Sequence, residues 1–328
     1  MIPATTLKLP AVRRGPERAN APSRRKRPAM IRPYQAGITP PPAHGPAVRK
    51  ESQLVESSPI NPAAAALQPV QPVRPAAGYI GGKRNLSRRL VALIGTMPHE
   101  IYAEVMVGMG GVFLRRDRRP RGEVINDWSE DVSNFFRILQ RHYVPFMDML
   151  RFQLTTRAGF ERLMRTDPST MTDLERAARF LYLQRLAFGG KVAGRNFGVT
   201  VSGPARFDVT KLGPVLEALH DRLAGVIIER LPWANFLTRY DRPGTLFYLD
   251  PPYYGCEGDY GEGMFTRADF TLMADRLRSL KGQFLLSLND TPEVREIFAG
   301  FTFLEVETTY TVAGGPHAGS AGELIISR

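Results

Sequence analysis

From Gly78 onward, apolar runs of strand length alternate with stretches of helical periodicity. Ile101 to Val107 and Val226 to Glu229 read as buried strands, and Val124 opens another. Thr245 to Leu249 is the clearest, an apolar run that ends in a turn. Gln283 to Leu288 is a further strand, and Phe301 to Val312 with Gly322 to Ser327 read as a closing pair. Helical patterns lie between them, at Leu86–Ile94, Ser129–His142, Phe236–Tyr240, Arg267–Ser279 and Pro292–Phe298. Such alternation predicts an α/β fold with helices on both faces of a sheet. Residues 143–211 break the alternation. They are helical at first, with an apolar stripe over Thr172–Leu186, and then loop-rich, which reads as an insertion between 78–142 and 212–328.

Residues 1–77 are a different material. They carry 15 of the 27 prolines and the run Arg24-Arg25-Lys26-Arg27, with little apolar periodicity to bury. They are expected to be a disordered or extended tail.

Charge sharpens this division. The 328 residues carry net +12, which points to a polyanionic partner. Residues 1–77 hold 12 basic and 3 acidic residues, and the other 251 hold 32 and 29, so most of the excess sits in the tail. The basic tail reads first as a solvated arm, and second as nonspecific attraction to phosphates.

Composition also removes several classes. A single cysteine, Cys256, rules out a disulfide framework and a cysteine-rich zinc site. The five histidines are scattered, so no metal is expected, although carboxylates leave magnesium open. No apolar stretch is long enough to span a membrane. Met1-Ile2-Pro3-Ala4 precedes no apolar run of signal-peptide length, so a cytoplasmic protein is expected.

In sheets of this kind ligands bind beyond the carboxyl ends of the strands. After the Thr245–Leu249 strand comes Asp250-Pro251-Pro252-Tyr253. Two prolines stiffen a turn with a carboxylate before it and an aromatic ring after it. That suits chemistry on a planar amine such as the amino group of adenine, whose lone pair is delocalised into the ring. Asp250 can accept the amino hydrogens and aim the lone pair, and Tyr253 can stack on the base. After the first strand comes Gly108-Met109-Gly110-Gly111, where glycines let backbone N–H groups approach a ligand. After the second comes Asn126-Asp127, placed for ribose hydroxyls. This pair of features fits a dinucleotide or S-adenosylmethionine. Phe113 stands where a dinucleotide fingerprint has its third glycine. The loop from Phe188 to Gly198 combines glycines with Lys191, Arg195, Asn196 and two aromatics. It reads equally as an ordinary loop or as a surface that approaches a phosphate backbone.

Tyr79-Ile80-Gly81-Gly82-Lys83, the Glu104-to-Phe113 glycine segment, Asn126-Asp127 and Tyr248 to Tyr253 occur together in this order. Together they resemble the Dam-type adenine-specific DNA methyltransferases, above all those of phages and prophages, in the alpha arrangement of motifs. The resemblance covers about residues 78–328 and implies a Rossmann-like methyltransferase sheet, S-adenosylmethionine as cofactor and double-stranded DNA as substrate. It implies target-base roles for Asp250, Pro251 and Tyr253, and cofactor contacts for Tyr79, Lys83, Gly108, Gly110 and Asp127. It makes 143–211 the target-recognition region, with Lys191, Arg195 and Asn196 as DNA contacts, in a protein expected to act as a monomer. Where many relatives have Glu-Pro-Phe, this chain has Glu104-Val105-Met106. Asn235 stands where relatives commonly place an acid for the cofactor's adenine.

Other readings stay open at this stage. Cytosine amino methylation or RNA methylation would use the same fold, although Asp250 favours adenine. A DNA-binding relative with decayed catalysis has Asn235 as its best support, and Asp250, Tyr253 and Asp127 speak against it. A nicotinamide-dependent oxidoreductase lacks its third glycine and a proton-donor site.

Overall fold

The computed structural model describes residues 67–198, 203–261, 263–309 and 320–328. The expectations for residues 1–66 and for the strand end at 310–312 lie outside the described residues.

The first described strand is β1 (Gln68–Pro69), followed by α1 (Ser87–Thr96), β2 (Ile101–Glu104), β3 (Arg118–Arg119) and β4 (Gly122–Asn126). A helical block follows, with α2 (Glu130–Arg141), α3 (Tyr143–Leu150), α4 (Arg157–Arg165), α5 (Asp173–Leu186) and α6 (Val209–Arg222). Alternation then returns with β5 (Ile227–Glu229), α7 (Trp233–Tyr240), β6 (Thr245–Leu249), α8 (Arg267–Arg278), β7 (Gln283–Asn289) and α9 (Pro292–Ile297). The chain closes with β8 (Thr302–Thr309) and β9 (Ser320–Ser327).

Seven of these strands form one sheet in the order β5-β4-β2-β6-β7-β9-β8. The first five run parallel, and β9 enters antiparallel between β7 and β8. The chain builds outward from β2 through β4 to β5, then returns to the other side of β2 with β6. A cleft opens at such a reversal, beyond the carboxyl ends of the strands.

Successive residues of each strand bury into opposite faces, as the pleat dictates. Tyr102, Ile125, Tyr248 and Leu285 join a core with α1, α2, α5 and α6. Ala103, Val124, Phe247 and Leu286 join a second core with α7 and α8. Both faces are therefore covered, as the alternation predicts. The insertion shares the first core, where the ring of Phe180 on α5 packs tilted against that of Phe135 on α2.

Two sequence expectations need correction here. Residues 67–77 belong to the body, not to the tail. β1 pairs antiparallel with β3, the Val73 N–H donates to the Leu114 carbonyl (2.7 Å), and Val73, Ala76 and Ala77 are buried. Spaced prolines there are compatible with a two-residue edge ribbon, which needs few donors. Helix α6 was not legible, because Gly213 and Pro214 interrupt its pattern. Burial of Leu212, Val215, Leu216 and Leu219 on one face overrides that local cost.

Beneath the first core lies a buried ionic cluster. Glu123 on β4 accepts from Arg116 (2.8 Å) and from both terminal nitrogens of Arg222 (2.7 Å each). Arg116 lies over the Tyr102 ring (3.7 Å) and Arg222 over the Phe113 ring (4.1 Å). One carboxylate thus holds two buried guanidiniums. Glu123→Ala should destabilise the protein by about 3–5 kcal/mol in chemical denaturation, because it strands two charges out of water. A loss below about 1 kcal/mol would show that the cluster is solvated.

Candidate active site

A cavity of about 770 Å³ opens where the sheet reverses, against the ends of β2, β4 and β6. Each wall comes from a different segment. After β2 the backbone still runs between its neighbours, with Val105 N–H on the Tyr248 carbonyl and Val107 N–H on the Asn126 carbonyl (both 2.9 Å). It then turns at Gly108, whose φ is +51°. A Cβ there would lie 3.0 Å from the Tyr79 ring, so a side chain would be both strained and crowded.

Asp127 follows β4 and ties the turn. Its Oδ2 accepts from Gly108 N–H and its Oδ1 from Ser129 N–H, both at 2.9 Å. Burial pushes its carboxyl up to about 6, against the pull of these two N–H groups. Beside it, the Asn126 amide donates to the carbonyls of Val105 (2.9 Å) and Leu231 (3.0 Å), and accepts from Leu231 N–H (2.8 Å). One buried amide therefore fixes the ends of β2 and β4 and the approach to α7.

After β6, Pro251 and Pro252 are buried and hold the turn. Asp250 Oδ1 is 2.9 Å from Lys83 Nζ and accepts from Ser287 Oγ (3.0 Å). Because that serine proton is committed to Asp250, the Tyr248 hydroxyl donates to Ser287 Oγ (2.9 Å). Asn289 brackets the loop from β7, accepting Tyr254 N–H and donating to the Tyr254 carbonyl. Lys83 also meets Glu323 of β9 (2.9 Å) and donates to the Tyr253 hydroxyl (2.8 Å). Burial pushes the Asp250 carboxyl up to about 6, Lys83 pulls it down and Glu323 pushes it up. On the floor, Glu104 is pushed up to about 8 by burial, and accepts from the Tyr102 hydroxyl (2.6 Å).

Most of the sequence-selected residues converge. Tyr79, Lys83, Gly108, Asp127 and Asp250 line one cavity although they span about half of the chain. Tyr253 lies beside it and braces Lys83, whose ammonium sits 4.3 Å from the ring centre. Two expected cofactor contacts do not line the wall. Asn235 is exposed on α7, and Pro232 and Trp233 line the cavity in its place. Gly110 turns toward Leu114 and Phe136 beneath the loop, and its neighbours Met109 and Gly111 form the wall. Lys191 and Asn196 are exposed. Arg195 is half-buried, donates to Gln184 Oε1 (3.1 Å) and stands over the Phe180 ring.

Sequence reading missed Ser287, Glu323 and Tyr260. Ser287 and Glu323 carried a signal, since each is polar within an otherwise apolar strand. Tyr260 carried none. It lines the cavity, donates to the Ile80 carbonyl (2.9 Å) and packs 5.8 Å from Tyr79.

Sheet order, glycine turn and Asp-Pro-Pro-Tyr turn together define a Rossmann-like methyltransferase. The sequence profile of the D12 class N6 adenine-specific DNA methyltransferases matches residues 79–312, and the chain belongs to that family. It is similar to the type II methyltransferase M1.LlaDCHI of Lactococcus lactis subsp. cremoris, 25% identical over 275 residues, which cover 77% of this chain and 93% of the relative. It is also similar to the type II methyltransferase M.CviBI of Paramecium bursaria Chlorella virus NC1A. That match is 21% identical over 256 residues, covering 77% of this chain and 96% of the relative. Membership makes DNA adenine the methyl acceptor and implies S-adenosylmethionine as the methyl source. The cavity fits that cofactor, because its glycine cradle would be filled by a Cβ at Gly108 and a half-buried carboxylate stands beside it. Among the described residues, no helix is long and apolar enough to cross a membrane.

Lys83→Met tests the ionic frame. It leaves Asp250 and Glu323 facing each other without their cation, and should cost about 3–5 kcal/mol at neutral pH. The Asp250 carboxyl, pushed up by burial and held down by Lys83, would then titrate further above its unfolded value. The folded state then holds more protons than the unfolded state, so stability should recover as pH falls through the weakly acidic range. Denaturation midpoints that fall on acidification would contradict this account.

Proposed function

We propose that this protein transfers a methyl group from S-adenosylmethionine to the exocyclic amino nitrogen of an adenine turned out of double-stranded DNA. The observation that carries the reading is the seating of Asp250. Both of its contacts, from Lys83 and Ser287, fall on Oδ1, in the same cavity as Gly108 and Asp127. Oδ2 is then the oxygen that accepts the amino hydrogen of the base. That bond draws the nitrogen lone pair out of conjugation and aims it. The same carboxylate takes the proton that the nitrogen sheds once methylated. Tyr253 stacks on the base, returning roughly 1–3 kcal/mol of the cost of unstacking. When bound, S-adenosylmethionine supplies an electrophilic methyl on a sulfonium, so no activated protein nucleophile is required. Cys256, exposed on the loop after the turn, has no part in this chemistry.

Tyr79, Lys83, Gly108 and Asp127 would hold the cofactor, with Pro232 and Trp233 beside them. Gly110 serves by packing under the turn. Residues 143–211 supply target recognition. In this reading Lys191 and Asn196 reach the DNA from the exposed loop, and Arg195 holds that loop through Gln184. Since one chain supplies both the cofactor turn and the catalytic turn, the protein acts as a monomer, in the cytoplasm of a bacterial or phage-infected cell. The type II names of both relatives support a restriction–modification setting, and the viral source of one supports a phage-borne copy.

Expression in a methylation-free bacterial host, followed by single-molecule sequencing, tests the reaction. Methyladenine in one sequence context, absent with Asp250→Ala, is the expected result. Methylcytosine, or no mark from folded protein, would refute it. Asp250 must be ionised to accept the amino hydrogen, and Asp127 to keep its two N–H partners. With both carboxyls near 6, kcat/KM should fall below about pH 6 more steeply than one proton requires. An acid limb in the ordinary carboxylate range would remove Asp250 from that role.

A further inference from the structure

Four guanidiniums stand along one rim of the cavity. Arg74 and Arg84 are exposed, Arg115 and Arg185 are half-buried, and all four line the opening. The Val73–Leu114 backbone bond ties the segment that carries Arg74 to the segment that carries Arg115. Arg185 donates to the Ala76 carbonyl (2.8 Å) and to the Arg206 carbonyl (3.0 and 2.6 Å), and Arg115 donates to the Gly111 carbonyl. The two half-buried side chains are thus fixed by main-chain groups. None of the four has a carboxylate within ion-pair distance among the described residues. Two buried guanidiniums elsewhere in the body, Arg116 and Arg222, are by contrast matched by Glu123.

The like charges also feel one another. Burial first and Arg84 second hold the Arg115 pKa down, and burial first and Arg74 second hold that of Arg185 down. The one acid that Arg185 senses, Asp208, is engaged with Lys211 (3.5 Å). Holding like charges together without a counterion is unfavourable in the protein alone, and an external anion relieves it. A nucleotide drawn into the cavity leaves its own 5′ and 3′ phosphates at the mouth. The carboxylate of a cofactor would answer one positive charge, not four.

We propose that Arg74, Arg84, Arg115 and Arg185 form a phosphate clamp that takes the DNA backbone on either side of the extruded adenine. The inference rests on the DNA-methylating reading above, and it assigns backbone contacts to a surface outside the Phe188–Gly198 loop. One member, Arg74, comes from the segment that the proline pattern assigned to the tail. Such contacts position the duplex and carry no sequence information.

The test uses the full chain and a short mixed-sequence DNA duplex, with affinity measured by fluorescence anisotropy across a salt series. Arg74→Gln, Arg84→Gln and their double variant are compared with Lys281→Gln. Lys281 is exposed just before β7, at the opposite end of the strands from the cavity. Each lost phosphate contact should lower the slope of log affinity against log salt by about 0.9, and the double variant by about twice that. Lys281→Gln should leave the slope unchanged. Cofactor affinity, read by calorimetry with S-adenosylmethionine, should stay within twofold in every variant. An unchanged slope in the double variant overturns the clamp. An equal fall in Lys281→Gln overturns it too, since charge anywhere would then suffice. Weakened cofactor binding with an intact slope reassigns the cations to the cofactor carboxylate. Failure of the unaltered protein to bind duplex while it binds cofactor would count against the DNA reading itself.

Discussion

A single ammonium holds the site together. Lys83 stands between Asp250 and Glu323 at 2.9 Å from each, and also bonds the Tyr253 hydroxyl. Its side chain is 1% exposed, so the charge has no solvent to fall back on. Two carboxylates against one cation leave the cluster a net negative group in a poorly solvated place, which is costly unless every contact is kept. That constraint draws the loop before α1, the turn after β6 and the middle of β9 into one register. It also explains why Asp250 stays easily protonated despite its cation. Burial and Glu323 oppose Lys83, and the balance leaves the carboxyl near 6.

The remaining walls are arranged so that the sheet does the positioning. Asn126 spends its whole amide on backbone groups at the ends of adjacent strands, which leaves Asp127 to face the cavity. Tyr79 is wedged between the Gly108 turn and Tyr260. Gly190, with φ +69°, comes within 2.9 Å of Tyr79 N when a Cβ is built on it, and its carbonyl accepts from Ile80 N–H. Gln184 bonds the carbonyls of both Gly78 and Gly190. The inserted helices are therefore fastened to the cofactor wall at the loop nearest the proposed DNA contacts. A shift of that loop on DNA would be felt at Tyr79.

Much of this was legible in the chain. Thr245–Leu249 was read to the residue, and α2, α5 and α8 to within two, because their apolar periodicity is strong and their ends carry caps such as the Thr172–Glu175 box. Asp250 and Asp127 stand out in the sequence because a carboxylate beyond a buried strand has few structural reasons to be there, and both line the cavity. What failed was of two kinds. Glu323 and Ser287 reach the site only through the antiparallel strand and its neighbour, and no spacing in the sequence links them to Asp250. Asn235 does not line the cavity because of its phase on the helix. Helix α7 begins at Trp233 and turns position 235 to solvent while Trp233 is held by its indole N–H to Asp269 (3.1 Å).

Charge makes the same point about placement over total. Residues 78–328 are nearly balanced, with 32 basic and 29 acidic residues, which would not by itself suggest a polyanion ligand. The folded body spends much of its acid locally. Glu123 answers two guanidiniums, Glu130 meets Arg176 and Arg230, and Asp290 meets Arg295. Pairing of this kind removes charge from long range within about a Debye length. It does so unevenly, and the arginines left without an acid among the described residues include four that line the cavity that must admit a nucleotide. A modest net charge therefore becomes a directional field at the one place where a phosphate backbone has to stop. The direction comes from the β1–β3 ribbon, which ties Arg74 to the rim.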